Sequence, residues 1–391
     1  MSKAVIVSAV RTAVGKAKRG SFVNVRPDDL ASFVIKKAVE KAGVNGEDID
    51  DVILGTAMPE GPQGMNLGRI ASLGAGLPVS VPGITINRFC SSGLQSIALA
   101  SDRINTGGAK IIVAGGVESM SQVTFGGNGV SCNPEIVSNN PEVYMSMGLT
   151  AEVVSRNYDV SREDQDKFSY QSHVKACKAI ESGAFKDEIE TYEWEEKVLD
   201  ASNKLITIKR SLSVDEGPRA DTSLEKLAKL RAVFSMGGTV TAASSSQMSD
   251  GAAAVVVMDE EEAKAKGITP IGRLLGFAVG GVAPEEMGMG PVVAVPKVLE
   301  MTGLSLSDID LIELNEAFAA QSLAVIRKLG LDESIVNVNG GAIALGHPLG
   351  ATGCKLTVQI LNELKRRDKK IGLVTMCIGG GMGAAGIIER L

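Results

Sequence analysis

Apolar residues in this chain come in short runs cut by glycine or charge, and their rhythm alternates between a helical period and continuous strand-like stretches. The first run, Ala4-Val5-Ile6-Val7, is rich in β-branched residues and predicts a strand near the N-terminus. A helical pattern over 30–41 precedes a strand over 52–54, and another helix then leads to a buried strand over 111–114. The same succession returns as a helix over 293–301, a strand over 311–314 and a strand over 371–374. Residues 38–58 align without a gap on 298–318, keeping Glu40/Glu300, Gly43/Gly303, Asp48/Asp308, Ile49/Ile309, Asp50/Asp310, Leu54/Leu314 and Ala57/Ala317. The same register lays Gly93 on Gly353. A constant offset over this length points to gene duplication. Helices alternating with strands in each copy predict an α/β fold with a mostly parallel sheet covered by helices.

Residues 120–249 break the repeat. They are rich in Asn, Gly and Pro near 126–141 and then predict a charged helix, whose Ser161-Arg162-Glu163-Asp164 opening resembles a capping box. The expected organisation is therefore a first half over 1–270 carrying an inserted subdomain at about 120–249, and a second half over 271–391. With 391 residues, 44% apolar content, only 4% aromatics and 45 glycines, small side chains must pack closely between helices and sheets.

A net charge of -6 gives a polyanion no reason to approach, so nucleic acid is excluded as a partner. No apolar run reaches the roughly 18 residues that cross a bilayer. The early strand leaves no room for a secretory leader, which favours the cytoplasm. Five cysteines, at 90, 132, 177, 354 and 377, contain no CxxC pair and argue against both a disulfide framework and a zinc site, so no metal is expected.

Three glycine-flanked turns carry candidate chemistry. Cys90 lies in Asn87-Arg88-Phe89-Cys90-Ser91-Ser92-Gly93, His347 in Gly346-His347-Pro348, and Cys377 in Met376-Cys377-Ile378-Gly379-Gly380-Gly381. Two thiols and an imidazole beside glycines that let backbone crowd a carbonyl make a candidate nucleophile, base and acid for thioester chemistry. Cys90 starts a predicted helix, where aligned peptide dipoles lower a thiol pKa. A buried structural cysteine and a structural histidine are the bland alternatives. His173 falls in the charged helix, is expected to face solvent and is given no catalytic role, while Cys132, Cys177 and Cys354 read as structural or incidental. Gly381-x-Gly383-x-x-Gly386 matches a dinucleotide fingerprint, but the chain ends at Leu391, before the acidic ribose ligand expected about 20 residues later. Nucleotide redox chemistry is set aside.

The blocks NRFCSSGLQS, AGGVESMS, MGLTAE, GTVTA, SDGAAAV, ELNEAFA, NVNGGAIALGHPLGATG and TMCIGGGMGAAG, in that order over essentially the whole chain, resemble the thiolase family. Around Cys90 and in YMSMGLTAE the wording is closer to degradative 3-ketoacyl-CoA thiolases than to biosynthetic acetoacetyl-CoA thiolases. The resemblance implies an α/β thiolase fold of two duplicated halves, with mixed, mostly parallel sheets sandwiching helices, an inserted loop domain for coenzyme A and a homodimer or homotetramer. It also implies that His347 activates Cys90 and donates to the substrate oxyanion. Cys377 gives and retakes the proton of the acetyl-CoA enolate, a task suited to a thiol. By the same resemblance, the N–H groups of Cys90 and Gly379 bind the thioester oxygen, and Asn315 holds a water for a second oxyanion hole, with Glu316 bracing its loop. Ser246 matches the serine that contacts pantetheine, Met147, Phe234 and Phe318 wall the channel, and Arg219 is the candidate for the nucleotide phosphates. Two departures stand out: Ala243-Ser244 replaces the family's Gly-Asn, and Ser146 stands where biosynthetic enzymes carry histidine.

The expected activity is thiolytic cleavage of 3-ketoacyl-CoA by CoA, in fatty-acid β-oxidation, with no tightly bound cofactor and coenzyme A as substrate. A β-oxidation enzyme is a further expected partner. Acetoacetyl-CoA thiolase is the alternative within the class, and a noncatalytic acyl-CoA or lipid carrier is the alternative outside it.

Overall fold

A computed structural model describes residues 3–391; Met1 and Ser2 lie outside the described residues. The first half runs β1 (Ala4–Thr12), α1 (Pro27–Ala42), β2 (Asp51–Gly55), α2 (Leu67–Gly74), β3 (Ile84–Ile86), α3 (Ser92–Asn105) and β4 (Ile111–Ser119). The insertion follows, with α4 (Met147–Asn157), α5 (Arg162–Glu181) and a hairpin of β5 (Tyr192–Leu199) and β6 (Leu205–Leu212). β7 (Ser249–Asp259) then completes the first half. The second half is β8 (Gly272–Gly281), α6 (Gly290–Thr302), the counterpart of α1 on the other outer face, β9 (Leu311–Leu314), α7 (Ala319–Leu329), α8 (Leu349–Arg366), β10 (Ile371–Ile378) and β11 (Met382–Arg390).

The duplication is visible in small devices as well as in element order. α1 and α6 both end on a left-handed glycine, Gly43 at φ 67° and Gly303 at φ 69°, where a side chain would be strained. Asp50 accepts the N–H groups of Lys110 and Ile111, and Asp310 does the same for Lys370 and Ile371, so each carboxylate fixes the entry of a central strand. α1 starts earlier than the apolar pattern predicted because Pro27 is preorganised for a helical first turn.

Among the described residues the β5–β6 hairpin is a sheet of its own, and the other named strands form one sheet in the order β9-β10-β11-β8-β1-β7-β4-β2-β3, the halves meeting at the single pair Ile6 and Gly272. The sheet is mixed, but antiparallel ladders outweigh the parallel ones that the alternating pattern predicted. Each half closes its βαβ units with strands that return along the sheet, so β7 and β11 run antiparallel to their neighbours. α1 covers one outer face and α6 the other, while α3 and α8 are buried between the halves. That middle layer packs Leu94, Ile97 and Ile104 of α3 and Leu356, Val358 and Ile360 of α8 against strands of both halves.

α3 and α8 touch backbone to backbone. A Cβ on Gly93 would lie 2.7 Å from the Cys354 nitrogen, and one on Gly353 would collide with Leu94. These are the two glycines that the repeat places in register, so duplication supplies both sides of the contact.

The insertion is locked to the core by buried charge. Arg11 of β1 donates from Nε to Glu188 (2.7 Å) and as a fork to both oxygens of Asp215 (2.8 and 2.9 Å), joining the segments that follow α5 and β6. Burial opposes the guanidinium charge, but Asp215 and then Glu188 outweigh it and raise its pKa. Ser161 caps α5 as its sequence predicted, accepting the Asp164 N–H. His173 is a correction: it does not face solvent but is 7% exposed, because α5 lays Ser169, Ser172 and Ala176 against the second half and carries His173 in with them. Its Nδ1 accepts the Arg219 N–H at 3.2 Å. Among the described residues no helix is long and apolar enough to cross a membrane.

Arg11→Ala leaves two buried carboxylates without their cation, and chemical denaturation should show a loss of about 3–5 kcal/mol; an unchanged midpoint would contradict the anchoring role.

Candidate active site

The Cys90 turn is built against backbone preference. Phe89 sits at φ 42°, a region that suits glycine, in the tight turn Phe89–Ser91 between β3 and α3. Side chains hold it there: Asn87 Oδ1 accepts the Phe89 N–H at 2.8 Å, while Ser92 Oγ accepts the Arg88 N–H at 2.9 Å and donates to the Phe89 carbonyl at 2.7 Å. Cys90 is thereby turned inward, 2% exposed.

His347 enters from the second half, on the turn before α8. Gly346 at φ 92° lets the chain pass close to Ser249, and the His347 N–H is shared between the Gln247 carbonyl (3.1 Å) and Ser249 Oγ (3.2 Å). The ring spans two partners, Thr352 Oγ1 at 2.6 Å from Nδ1 and Asn315 Nδ2 at 3.3 Å from Nε2. Asn315 follows β9 and donates its N–H to the Thr375 carbonyl. Glu316 beside it accepts from Ser172 Oγ (2.7 Å), Asn337 Nδ2 (2.9 Å) and the Ile343 N–H (3.2 Å), tying this loop to α5 and to the turn that leads to His347.

Cys377 lies near the end of β10, 1% exposed, and Gly379 follows where a Cβ would meet the Met147 methyl at 2.8 Å. Cys90, His347 and Cys377 line one cavity of about 240 Å³. Its other walls include Met147, Phe234, Ser246 and Phe318, all singled out from sequence, together with Ser146. The rings of Phe234 and Phe318 meet edge to face at 6.0 Å. Arg219 is placed elsewhere: it is exposed, pairs with Asp221 at 3.4 Å and lines an adjacent hollow of about 270 Å³. The two spaces share Ser245 and Gln247 as a common wall. Ser244 is buried, its Oγ accepting the Thr241 N–H at 2.8 Å, so this departure from Gly-Asn stitches its own loop.

Burial controls the electrostatics. The expected lowering of the Cys90 thiol by a helix start is outweighed, since desolvation pushes it up to about 12; the Gly379 N–H and its own N–H lower it only in part, and Glu118 raises it further. Cys377 is also pushed up, first by burial and then by Cys90. Burial lowers His347 to about 3, and the charge of Lys355 adds to the effect. The resting site is two neutral thiols and a neutral imidazole.

Several contributors were invisible along the sequence. Met120 and Phe125, both from the loop after β4, and Met287 line the cavity, and of the three only Met120 falls within a quoted block, AGGVESMS. Glu118 is fully buried and accepts from the Ala57 N–H (2.8 Å), Gln63 Nε2 (2.7 Å) and the Gly350 N–H (2.8 Å), pinning a loop of the first half to the start of α8. Its carboxyl within AGGVESMS was the available signal. Thr352 lies within the GHPLGATG block, where nothing in the sequence alone ties it to His347.

The chain matches two family models in succession, thiolase N-terminal domain over residues 4–261 and thiolase C-terminal domain over 268–390. It is 54% identical over 389 residues to a 3-ketoacyl-CoA thiolase of Bacillus subtilis (strain 168), covering 100% of both chains. It is 45% identical over 407 residues to an acetyl-CoA acetyltransferase of Escherichia coli (strain K12), again covering 100% of both. A crystal structure of the Bacillus anthracis acetyl-CoA acetyltransferase superposes with a TM-score of 0.89 at 42% identity, covering 100% of this chain and 99% of that one. Matched through both halves and sharing more than half its residues with a full-length relative, the chain belongs to the thiolase family of acyltransferases.

Proposed function

We propose that the protein cleaves 3-ketoacyl-CoA with CoA, giving acetyl-CoA and an acyl-CoA two carbons shorter, through an acyl group carried on Cys90. The observation that carries this reading is the meeting of Cys90, His347 and Cys377 around one apolar cavity. In the first half-reaction His347 takes the Cys90 proton as sulfur attacks the 3-keto carbon. The C2–C3 bond breaks, its electron pair forms the acetyl-CoA enolate, and Cys377 protonates that carbon. In the second, the Cys377 thiolate takes the proton of an incoming CoA thiol, whose sulfur attacks the acyl-Cys90 carbonyl. Cys90 leaves as thiolate and regains its proton from His347.

Thiolate is scarce at rest in this buried site, so proton transfer must accompany attack, which a base poised at His347 allows. The N–H groups of Cys90 and Gly379 serve the thioester oxygen in this scheme, and Asn315, through a water, serves the other oxyanion with His347. One such donor in an acyl-transfer site is worth about 3–4 kcal/mol. Ser246 contacts the pantetheine arm between Met147, Phe234 and Phe318, and the nucleotide phosphates reach Arg219 in the adjacent hollow, displacing Asp221.

The protein works, in this reading, as a homodimer or homotetramer in the cytoplasm, alongside a partner enzyme of β-oxidation. Exposed Met65, Val79 and Ile84 around the edge strand β3 suit self-association. Cleavage limited to acetoacetyl-CoA is the second reading, favoured by the relatives named acetyl-CoA acetyltransferase. Ser146 in the cavity wall, smaller than histidine, favours longer chains.

Brief exposure to 3-ketoacyl-CoA should add one acyl group to Cys90 by mass spectrometry and none to Cys90→Ser; an unmodified wild-type cysteine would defeat the mechanism. Thiolysis rates across substrates of four to sixteen carbons separate the two readings, activity confined to four carbons favouring the second. Because the Cys90 thiol is raised to about 12, iodoacetamide should alkylate it about tenfold faster for each pH unit between about 7 and 9. A rate flat across that window would instead mean a preformed thiolate.

A further inference from the structure

We propose that Thr352 is a positioning residue that holds His347 in its Nδ1–H tautomer, leaving the lone pair on Nε2, the nitrogen turned toward Asn315. The inference rests on the role given above to His347 as the base for Cys90, and it concerns how that ring is made a base at the correct nitrogen.

An imidazole is equally neutral with its proton on either nitrogen, and only the partners decide. Thr352 lies in the first turn of α8, 1% exposed, with Oγ1 2.6 Å from His347 Nδ1 and 3.0 Å from the Pro348 carbonyl four residues back. A carbonyl only accepts, so the single hydroxyl proton of Thr352 goes to Pro348 in the usual helical back-bond. Oγ1 then offers a lone pair to the ring, and Nδ1 must carry the proton. On the other side Asn315 presents its Nδ2, which donates, to Nε2 at 3.3 Å. The two contacts agree. The reverse arrangement, with Thr352 donating to Nδ1, puts a proton on Nε2 and leaves that nitrogen unable to accept one from Cys90.

The choice of a neutral partner also has a chemical consequence. A carboxylate at Nδ1 would stabilise the imidazolium and let it persist. A threonine hydroxyl fixes the tautomer without adding a negative charge, in a site where burial and Lys355 already disfavour the cation. The ring therefore passes its proton on instead of storing it.

The chain has only two histidines, which makes the test direct. His173 accepts the Arg219 N–H on Nδ1 and so must carry its own proton on Nε2, the opposite tautomer. Nitrogen-15 NMR of the full-length protein labelled in its histidine rings should show one tautomer of each kind, assigned with His173→Gln. Thr352→Ser should keep the His347 signature and near wild-type thiolysis. Thr352→Val should lose the Nδ1–H signature and lower kcat roughly 10- to 100-fold with little change in KM. A wild-type spectrum with His347 protonated on Nε2 overturns the proposal, and does so even if Thr352→Val fails to fold. So does a folded Thr352→Val that keeps both tautomer and rate. If wild type shows the Nε2–H form yet still acylates Cys90, this inference falls and the thiolase reading stands.

Discussion

Everything in this molecule depends on two helices being allowed to touch. α3 and α8 run through the layer shared by both halves, and Gly93 and Gly353 remove the side chains that would hold their backbones apart. Cys90 lies just before α3, and His347 just before α8. The separation of the Cys90 sulfur and the His347 imidazole is thus set by a backbone contact that cannot be repacked, since one methyl at either glycine meets main-chain atoms. Glu118 reinforces the same junction by gripping Gly350 and Ala57 together. Duplication explains why the contact is symmetric, while the chemistry is not: Cys90, His347 and Cys377 have no copies in the other half.

Close packing also sets the electrostatics. The site is buried, which favours protonated thiols and a neutral histidine. A helix start is a weak lever against full desolvation of a thiolate. What the fold supplies instead is placement: strained Phe89 aims the sulfur, Thr352 and Asn315 bracket the imidazole, and Glu316 fixes the loop that carries Asn315. In the proposed mechanism reactivity then awaits the substrate, whose developing oxyanion is the charge the N–H groups meet.

Much of this was legible in the chain because repeats and glycines leave marks. The register of residues 38–58 on 298–318 carries the paired helices and strands and sets Gly93 on Gly353. The three reactive turns, and the walls at Met147, Phe234, Ser246 and Phe318, were identifiable from motif order. The alternating pattern did not reveal strand direction, because β7 and β11 read as apolar runs whether parallel or antiparallel. His173 looked solvent-facing because α5 is polar overall, yet its buried face, Gln165, Asp166, Ser169, Ser172, Ala176 and Ala179, is polar or alanine and carries no large apolar residue for hydropathy to register. Arg11, Glu188 and Asp215 are far apart in sequence, and only the fold converts three ordinary charges into one buried clamp.

The most direct measurement is the single-turnover rate at which a folded Gly353→Ala protein transfers an acyl group to Cys90. The account predicts a fall of roughly 100-fold or more, because the added methyl drives α8 from α3 and carries His347 away from the sulfur. A folded variant that acylates Cys90 at the wild-type rate would show that the helix contact does not set the catalytic geometry.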